Sequence, residues 1–161
     1  MILTLVLDRA SKILVVRFLP FEVPVAPVAA LAKIFTFTYI HNTGAAFGML
    51  PQAGIVFAFV QAIVAVALVI WYDRLPVRHL LVRIAVGLVS AGAVGNLIDR
   101  LHTGYVVDFL HFHFWPIFNL ADSAVVAGVV VLGAYMLFGE DAAEKPTERR
   151  GSLERGQPGG A

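Results

Sequence analysis

Long apolar segments are the feature that most constrains the fold of this chain, because each is close to the length needed to cross a lipid bilayer. One of them, 55–71, contains Gln61 as its only strongly polar residue. As a helix rising 1.5 Å per residue it would extend about 26 Å, against a hydrocarbon thickness of about 30 Å. The other three segments are 2–19, 80–98 and 120–138. The sequence therefore predicts an all-α membrane protein with four transmembrane helices.

The composition supports a membrane protein and excludes several other classes. Hydrophobic residues make up 59% of the 161 positions and charged residues only 14%, whereas soluble domains are about a quarter charged. A net charge of +1 without a basic patch argues against nucleic-acid binding. The absence of cysteine excludes a disulfide framework, a cysteine metal site and a thiol nucleophile. We expect one four-helix transmembrane domain over 1–139 and a disordered cytoplasmic tail over 140–161.

The first apolar segment is interrupted by the charged residues Asp8, Arg9 and Lys12. Each would cost about 2.5–3.5 kcal/mol at the centre of a membrane helix. Asp8 and Lys12 are four positions apart, so they share a helix face and can pair. Two interpretations remain open at this point: a buried ion pair that fixes helix packing, or support for an active site.

Small residues recur at helical spacing in the last two segments. Gly87, Ala91 and Gly95 lie on one face of the third, and Ala124 and Gly128 lie on one face of the fourth. Small residues let helices approach closely in lipid. We therefore predict tight helix contacts along both faces.

The distribution of basic residues orients the predicted helices. Arg74, Arg78 and Arg83 lie in or beside the connection between the second and third segments, whereas the long connection 20–54 contains only Lys33. The positive-inside rule makes the arginine-rich connection cytoplasmic. Both termini are then cytoplasmic, and 20–54 and 99–119 lie on the outer side.

The connection 20–54 is too long for a structureless loop and indicates a functional element. Its stretch 35–40 alternates aromatic and β-branched residues, which favours extended structure. A turn is predicted at 41–44, His-Asn-Thr-Gly. We therefore expect a small outer-face β-sheet between the first and second helices, resting on the membrane surface.

Asp108 and Asp122 lie at the edges of apolar sequence, where carboxylates are costly and usually functional. Asn119 is a plausible N-cap that places Asp122 at the third helical position, where the helix dipole favours a negative charge by about 0.3–1 kcal/mol. Apolar neighbours should raise the pKa of Asp108. If the two meet, they share a proton and can activate water, as in aspartic proteases. The alternative is structural: Asp122 caps its helix and Asp108 ends a strand.

Two further polar groups are candidates for a functional role. Asn96, Asp99 and Arg100 close the third segment and either hold the neighbouring loops or form an ordinary interfacial cluster. His111 and His113 would share a strand face and, with Asp108, suggest a metal site. Since no third strong ligand has suitable spacing, we predict no metal.

With these motifs in the same order, the chain resembles the lipoprotein signal peptidase (signal peptidase II) family of bacterial membrane aspartic proteases. The resemblance covers about 8–138. Its five blocks are 8–12 (DRASK), 42–47 (NTGAAF), 95–100 (GNLIDR), 106–109 (VVDF) and 116–123 (PIFNLADS). The chain departs from the family pattern at Arg9, where glutamine is usual, in the few residues that precede Asp8, and in a shorter stretch between Asp108 and Asn119.

The resemblance implies a specific reaction. Family members remove the signal peptide from prolipoproteins whose lipobox cysteine carries a diacylglyceryl group, cutting just before that cysteine. Asp108 and Asp122 match the catalytic pair. The positions expected to bind substrate or support the site are Asn42, Gly44, Asn96, Asp99, Arg100, Asn119, Asp8 and Lys12. No cofactor is implied, and the peptide antibiotic globomycin is the expected inhibitor.

The resemblance also implies a multi-pass protein of the bacterial cytoplasmic membrane, in contact with membrane lipids, with its site at the outer face. We expect a monomer. The alternative function is a small four-helix proton-coupled transporter that uses membrane carboxylates as a proton relay. Such a relay needs carboxylates near the bilayer midplane, whereas Asp108 and Asp122 fall at the ends of apolar segments.

Overall fold

The computed structural model describes residues 1–44, 63–64, 67 and 80–138. The described part is mostly helical, as predicted, with a small antiparallel sheet. Its elements are helix α1 (Ile2–Phe18), a short 3-10 turn (Ala29–Leu31), strand β1 (Phe35–Asn42), helix α2 (Leu80–Thr103), strand β2 (Val106–Phe112) and helix α3 (Leu120–Phe138). The predicted second membrane segment lies outside the described residues except for Ile63, Val64 and Ala67, which are helical. The predicted tail at 140–161 also lies outside them.

Helix α1 buries charged residues and exposes apolar ones, the reverse of a helix in a water-soluble protein. Its buried residues are Asp8, Lys12 and Val15. Large apolar side chains such as Ile2 and Phe18 are exposed instead. Because the hydrophobic effect drives apolar surface out of water, this pattern fits a helix surrounded by lipid.

Two of the described helices, α2 and α3, are long and apolar enough to cross a membrane. The predicted boundaries of α3 are confirmed, while α2 continues past the predicted Ile98 to Thr103. Helix α1 has 17 residues, which correspond to about 26 Å of helix. On length and composition the described part therefore supports two membrane spans, and the arrangement of four stays a prediction.

Small residues bring the helices together, as the sequence predicted. A Cβ atom added to Gly128 of α3 would lie 2.6 Å from the Ala85 carbonyl oxygen of α2. A Cβ atom added to Gly95 of α2 would lie 2.7 Å from the Asp8 carboxylate of α1. The predicted face of small residues on α2 thus packs against α1, and the predicted face of small residues on α3 packs against α2.

The sheet corrects one prediction. Strand β1 does form where expected, but it pairs with β2, which lies in the connection between α2 and α3. The sheet is therefore shared by the segment before α2 and the connection between α2 and α3, rather than built between the first and second helices alone. Strand pairing satisfies the backbone N–H and C=O groups of β1, and its partner is distant in sequence.

The end of β1 also differs from the prediction. The strand continues through Asn42, so the expected turn at 41–44 is confined to its last residues. Gly44 has a φ of 86°, a left-handed conformation that glycine adopts without a steric penalty. Its backbone N–H donates to Asn42 Oδ1 at 2.8 Å. The turn therefore orients the Asn42 amide.

A register irregularity separates the two ends of the sheet. Phe37 pairs with Leu110 but Ile40 pairs with Asp108, so β1 carries one extra residue between these pairs. Such a bulge bends a strand and redirects its side chains. One face of the sheet packs its buried core on α1 and brings together Val15, Tyr39, Val107 and Phe109.

Candidate active site

The site begins at the first turn of α3, where Asn119 and Asp122 cap each other. Asn119 Oδ1 accepts the Asp122 backbone N–H at 3.0 Å. Asp122 Oδ2 accepts the Asn119 backbone N–H at 3.1 Å. This reciprocal arrangement is a capping box. The predicted N-cap and the position of Asp122 in the first helical turn are confirmed.

Asn119 also contacts the second aspartate. Its side-chain Nδ2 donates to Asp108 Oδ1 at 2.7 Å and to Asn96 Oδ1 at 3.1 Å. The Asn119 side chain is fully buried. One asparagine therefore holds both carboxyl groups, and the fold brings together the two aspartates that are 14 positions apart in the sequence.

Asp108 is a carboxyl group removed from solvent. It is 0% exposed, and its second oxygen, Oδ2, accepts a hydrogen bond from Asn42 Nδ2 at 2.8 Å. Burial, followed by the negative charge of Asp122, raises the pKa of Asp108 to about 7, against the lowering effect of the bonds from Asn42 and Asn119. Near neutral pH, Asp108 can therefore hold or release a proton.

Asp122 is only partly buried and is bound differently. Its Oδ1 accepts a hydrogen bond from Asn96 Nδ2 at 2.7 Å. The oxygen of the same Asn96 amide accepts hydrogen bonds from Lys12 Nζ at 2.9 Å and from Asn119 Nδ2 at 3.1 Å. Because its oxygen faces two donors, the Asn96 amide must direct its NH₂ group toward Asp122.

A buried network of charged side chains contacts the Asn96 amide oxygen. The Lys12 ammonium, 3% exposed, contacts Asp8 Oδ2 at 3.0 Å, Asp99 Oδ2 at 2.7 Å and the Asn96 oxygen. Its three N–H donors thus have three acceptors. Asp8 Oδ1 also accepts the backbone N–H of Ala121 at 3.2 Å. The pair therefore joins α1 to α2 and α3 and contacts Asn96, while its role in supporting the site stays a prediction.

Arg9 has a larger part in this network than its sequence position indicated. Its Nη2 lies 2.6 Å from Asp99 Oδ1 and 3.1 Å from Asp8 Oδ2, and it donates to the Gly95 carbonyl oxygen at 3.0 Å. Arg9 and Lys12 balance the charges of the two carboxylates. In the sequence, the only signal for this role was the charge of Arg9 in an apolar segment, next to the predicted Asp8–Lys12 pair.

The remaining predicted residues lie beside this network. Arg100, in the last turn of α2 and half-buried, lies within electrostatic range of Asp99, Asp108 and Asp122. Gly44 acts through Asn42, as described above. All the residues predicted to form or support the site are thus gathered at the junction of α1, α2, α3 and the sheet.

The aromatic side chains that follow Asp108 in the chain differ in burial. Phe109 is buried in the sheet core. Phe114 and Trp115 are 78% and 63% exposed, so they do not enclose the carboxylates in the described part. The reason is positional, since both follow the end of β2 at the tip of the connection to α3.

His111 of β2 and His113, which follows the end of β2, lie side by side with ring centroids 4.4 Å apart. His111 Nδ1 lies 3.1 Å from the hydroxyl of the buried Thr38. Among the described residues, three or more potential metal ligands do not come together.

The arrangement can carry out acid–base chemistry. It holds two carboxyl groups through one asparagine, one buried with a pKa near 7 and one partly exposed at a helix N-terminus. Since the charge of Asp122 affects Asp108, the two groups titrate as an interacting pair, and one can donate a proton while the other accepts one.

Comparison with known proteins gives consistent matches. The family model described as signal peptidase (SPase) II matches residues 1–138. A lipoprotein signal peptidase of Moorella thermoacetica is 44% identical over 132 residues, which cover 81% of this chain and 85% of that protein. The lipoprotein signal peptidase of Pseudoalteromonas translucida is 38% identical over 157 residues, covering 92% and 90%.

Solved structures agree with the sequence comparison. A bacterial membrane enzyme solved by the in meso method at 2.3 Å resolution superposes with a TM-score of 0.75 at 28% identity, covering 91% of this chain and 89% of that one. A second such structure, at 1.9 Å resolution, gives the same TM-score at 29% identity, covering 85% and 89%.

Proposed function

The chain belongs to the signal peptidase II family, and from this membership we propose that it is an aspartic endopeptidase of the bacterial cytoplasmic membrane. The proposed substrate is a prolipoprotein whose lipobox cysteine already carries a diacylglyceryl group. The cut falls just before that cysteine and releases the signal peptide. The shared name of the relatives supports the lipoprotein substrate, and the geometry at Asn119 supports the aspartic reaction type.

The observation that carries the proposal is the double role of Asn119. It bonds Asp108 through its side chain and Asp122 through its backbone N–H. A water held between two such carboxyl groups can lose a proton to one while a substrate carbonyl receives a proton from the other. A proton relay of the transporter type would instead need carboxylates near the bilayer midplane, whereas Asp108 lies on strand β2.

In the proposed reaction Asp122 starts ionised, because the N-terminus of α3 stabilises a negative charge. Asp108 starts protonated, in keeping with its pKa of about 7. Asp122 takes a proton from water as the water oxygen bonds to the scissile carbonyl carbon. Asp108 gives its proton to the carbonyl oxygen. The product of this step is a neutral tetrahedral diol.

The diol then collapses. Asp122 passes its proton to the leaving nitrogen as the C–N bond breaks. Asp108 takes a proton from one diol hydroxyl as the carbonyl forms again. Both carboxyl groups therefore return to their starting states, and the reaction needs no cofactor.

The location of the site suits a lipid-anchored substrate. Helix α2 ends and helix α3 begins on the same side of the molecule as the sheet, and we assign this side to the outer membrane face from the cytoplasmic arginines between the second and third segments. A substrate that diffuses in the membrane plane then reaches the carboxylates at a high local concentration. The proposal includes four membrane helices, cytoplasmic termini, a monomer, contact with membrane lipids and inhibition by globomycin-type peptides.

The direct test is a gel-shift cleavage assay on a diacylglyceryl precursor with the purified enzyme. Asp108→Asn and Asp122→Asn should each reduce the cleavage rate at least about a hundredfold, since each removes a general acid or base. Glu22→Gln is the matched control, an acid-to-amide change at an exposed carboxylate, and should cleave at the wild-type rate. Full turnover by either aspartate variant would refute the pair, and insensitivity of the wild type to globomycin would count against the family-type site.

A further inference from the structure

An aromatic cluster on the outer end of the sheet surrounds one histidine that the site does not contain. The His41 ring stacks on Tyr105 with centroids 3.7 Å apart and an interplanar angle of 19°. Phe21 contacts its edge at 4.6 Å, and the Tyr39 hydroxyl lies 2.7 Å from His41 Nε2. Although His41 is exposed, its ring is therefore held from three directions. These four residues are called the aromatic cluster below.

The aromatic cluster lies next to a residue that bonds the buried aspartate. His41 pairs with Val107 across the sheet, and the following residue, Asn42, pairs with Val106. Tyr105, on which His41 stacks, immediately precedes β2. The stack therefore joins the last residues of β1 to the first residues of β2, the two chain segments that carry Asn42 and Asp108.

The bond between these two segments depends on strand register. Asn42 Nδ2 reaches Asp108 Oδ2 at 2.8 Å, and Asn42 is oriented by the Gly44 N–H on its oxygen. A hydrogen bond weakens steeply when its angle falls below about 120°, and it is lost when donor and acceptor are about 3.6 Å apart. Strand ends fray unless cross-strand side-chain contacts hold them, and an aromatic pair is such a contact.

We propose that His41, stacked on Tyr105 and bonded to Tyr39, is a positioning residue that keeps Asn42 in hydrogen-bonding distance of Asp108. Any effect of His41 on cleavage rests on the proposed function. Its effect on the titration of Asp108 does not. Removing the stack lets the end of β1 shift and lengthens the bond from Asn42. Because this bond favours the ionised carboxylate, Asp108 then gives up its proton at a higher pH.

The test measures the titration of Asp108 without turnover. In an infrared pH titration of the intact protein in micelles, the C=O band of protonated Asp108 is identified by its loss in Asp108→Asn. The carboxyl is within electrostatic range of Asp122 on α3, Lys12 on α1 and Arg100 on α2. None of these is altered by changes at positions 41 and 105.

We expect the band to titrate with a midpoint near pH 7 in the wild type. In His41→Leu and Tyr105→Leu the midpoint should rise by about one pH unit, the equivalent of one lost hydrogen bond. His41→Phe keeps a ring for stacking and should restore most of the wild-type midpoint. His102→Ala removes an exposed histidine at the end of α2 and should leave the midpoint unchanged.

Asn42→Ala provides the second measurement, because it removes the bond itself. If His41 acts through Asn42, the His41→Leu change adds no further shift to the Asn42→Ala protein. Additive shifts, or a wild-type midpoint in both leucine variants, overturn the inference. If the leucine variants do not fold, a His41→Phe protein whose midpoint rises by the full unit overturns it as well.

The cleavage assay separates this inference from the proposed function. A wild-type protein that does not cleave the lipidated precursor, but whose midpoint moves in the leucine variants, rejects the peptidase function and retains the positioning role of His41. A wild-type protein that cleaves normally, but whose midpoint stays unchanged in the leucine variants, retains the peptidase function and rejects the positioning role.

Discussion

Asn119 and Asp122 each accept the backbone N–H of the other, at 3.0 and 3.1 Å, and so close the first turn of α3 from both sides. The same Asn119 side chain reaches Asp108. Helix capping and alignment of the two carboxyl groups therefore depend on one residue. Changes at this position should separate the two roles.

Asn119→Ser should keep much of the cap, because serine is also a favoured N-cap residue, but it cannot reach Asp108. Asn119→Ala loses both, and its stability should fall by about 1 kcal/mol more than that of the serine variant. We expect both variants to lose most cleavage activity. Thermal unfolding in micelles and the cleavage assay measure the two effects. A fully active serine variant would show that the bond from Asn119 to Asp108 is dispensable.

The raised pKa of Asp108 makes stability depend on pH. The folded protein retains the Asp108 proton up to about pH 7, whereas the unfolded chain releases it near 3.8. The stabilisation is therefore fully present below pH 3.8 and is lost as pH rises to about 7, by up to about 4 kcal/mol. Unfolding temperatures measured between about pH 4 and pH 9 should fall toward pH 7 and then level off with respect to this group.

Asp108→Asn is the control for this pH dependence, since an amide does not titrate. Its unfolding temperature should decline less between about pH 4 and pH 7 than that of the wild type. Equal slopes for the two proteins would mean that Asp108 is already ionised at low pH. The exposed Glu22→Gln change should leave the wild-type slope intact.

Lys12 is the most consequential cation of the buried network, because it contacts Asp8, Asp99 and Asn96 together. Lys12→Met leaves buried carboxylates undercompensated and should destabilise the protein by about 3–5 kcal/mol. Lys33→Met, at an exposed position, should change stability by no more than about 0.5 kcal/mol. Denaturation of both variants in the same detergent gives the comparison.

The double variant Lys12→Met with Asp8→Asn refines this prediction. Removing one carboxylate together with the ammonium should recover part of the lost stability, since the charge imbalance is then smaller. A double variant that is less stable by the sum of the two single effects would indicate that Lys12 contributes through packing rather than charge.

Gly95 is predicted to be a glycine of α2 that tolerates a side chain poorly. An added Cβ would lie 2.7 Å from Asp8 Oδ2, within the buried network. Gly95→Ala should therefore destabilise the protein by about 1–3 kcal/mol through overpacking. A Cβ at Gly133 meets nothing within 4 Å among the described residues. Gly133→Ala should be neutral or slightly stabilising, because alanine favours helix.

Local features of the chain were predictable. The Asn119–Asp122 spacing predicted the cap of α3 because capping involves residues three positions apart, and the alternation at 35–40 predicted β1. The Asp8–Lys12 pair followed from helical periodicity in the same way. These predictions needed no knowledge of what lies across the molecule.

Features that join distant segments were not predictable in the same way. The pairing of β1 with β2, the bulge between Phe37 and Ile40, and the contacts of Arg9 with Asp99 and Gly95 all depend on how α1, α2 and the sheet come together. Sequence spacing gives the candidates for such contacts but not their partners. The link through Asn119 between two aspartates is of this kind, since only the folded chain brings β2 against α3.

The burial of charged residues in α1 has a consequence for biogenesis. This helix is synthesised before α2 and α3, yet its charged residues find their partners at Gly95, Asn96, Asp99 and Ala121, far later in the chain. Until those positions are synthesised, Asp8, Arg9 and Lys12 have only one another to offset the cost of entering lipid. We therefore expect stable insertion of α1 to be a late event that requires the docking of α3.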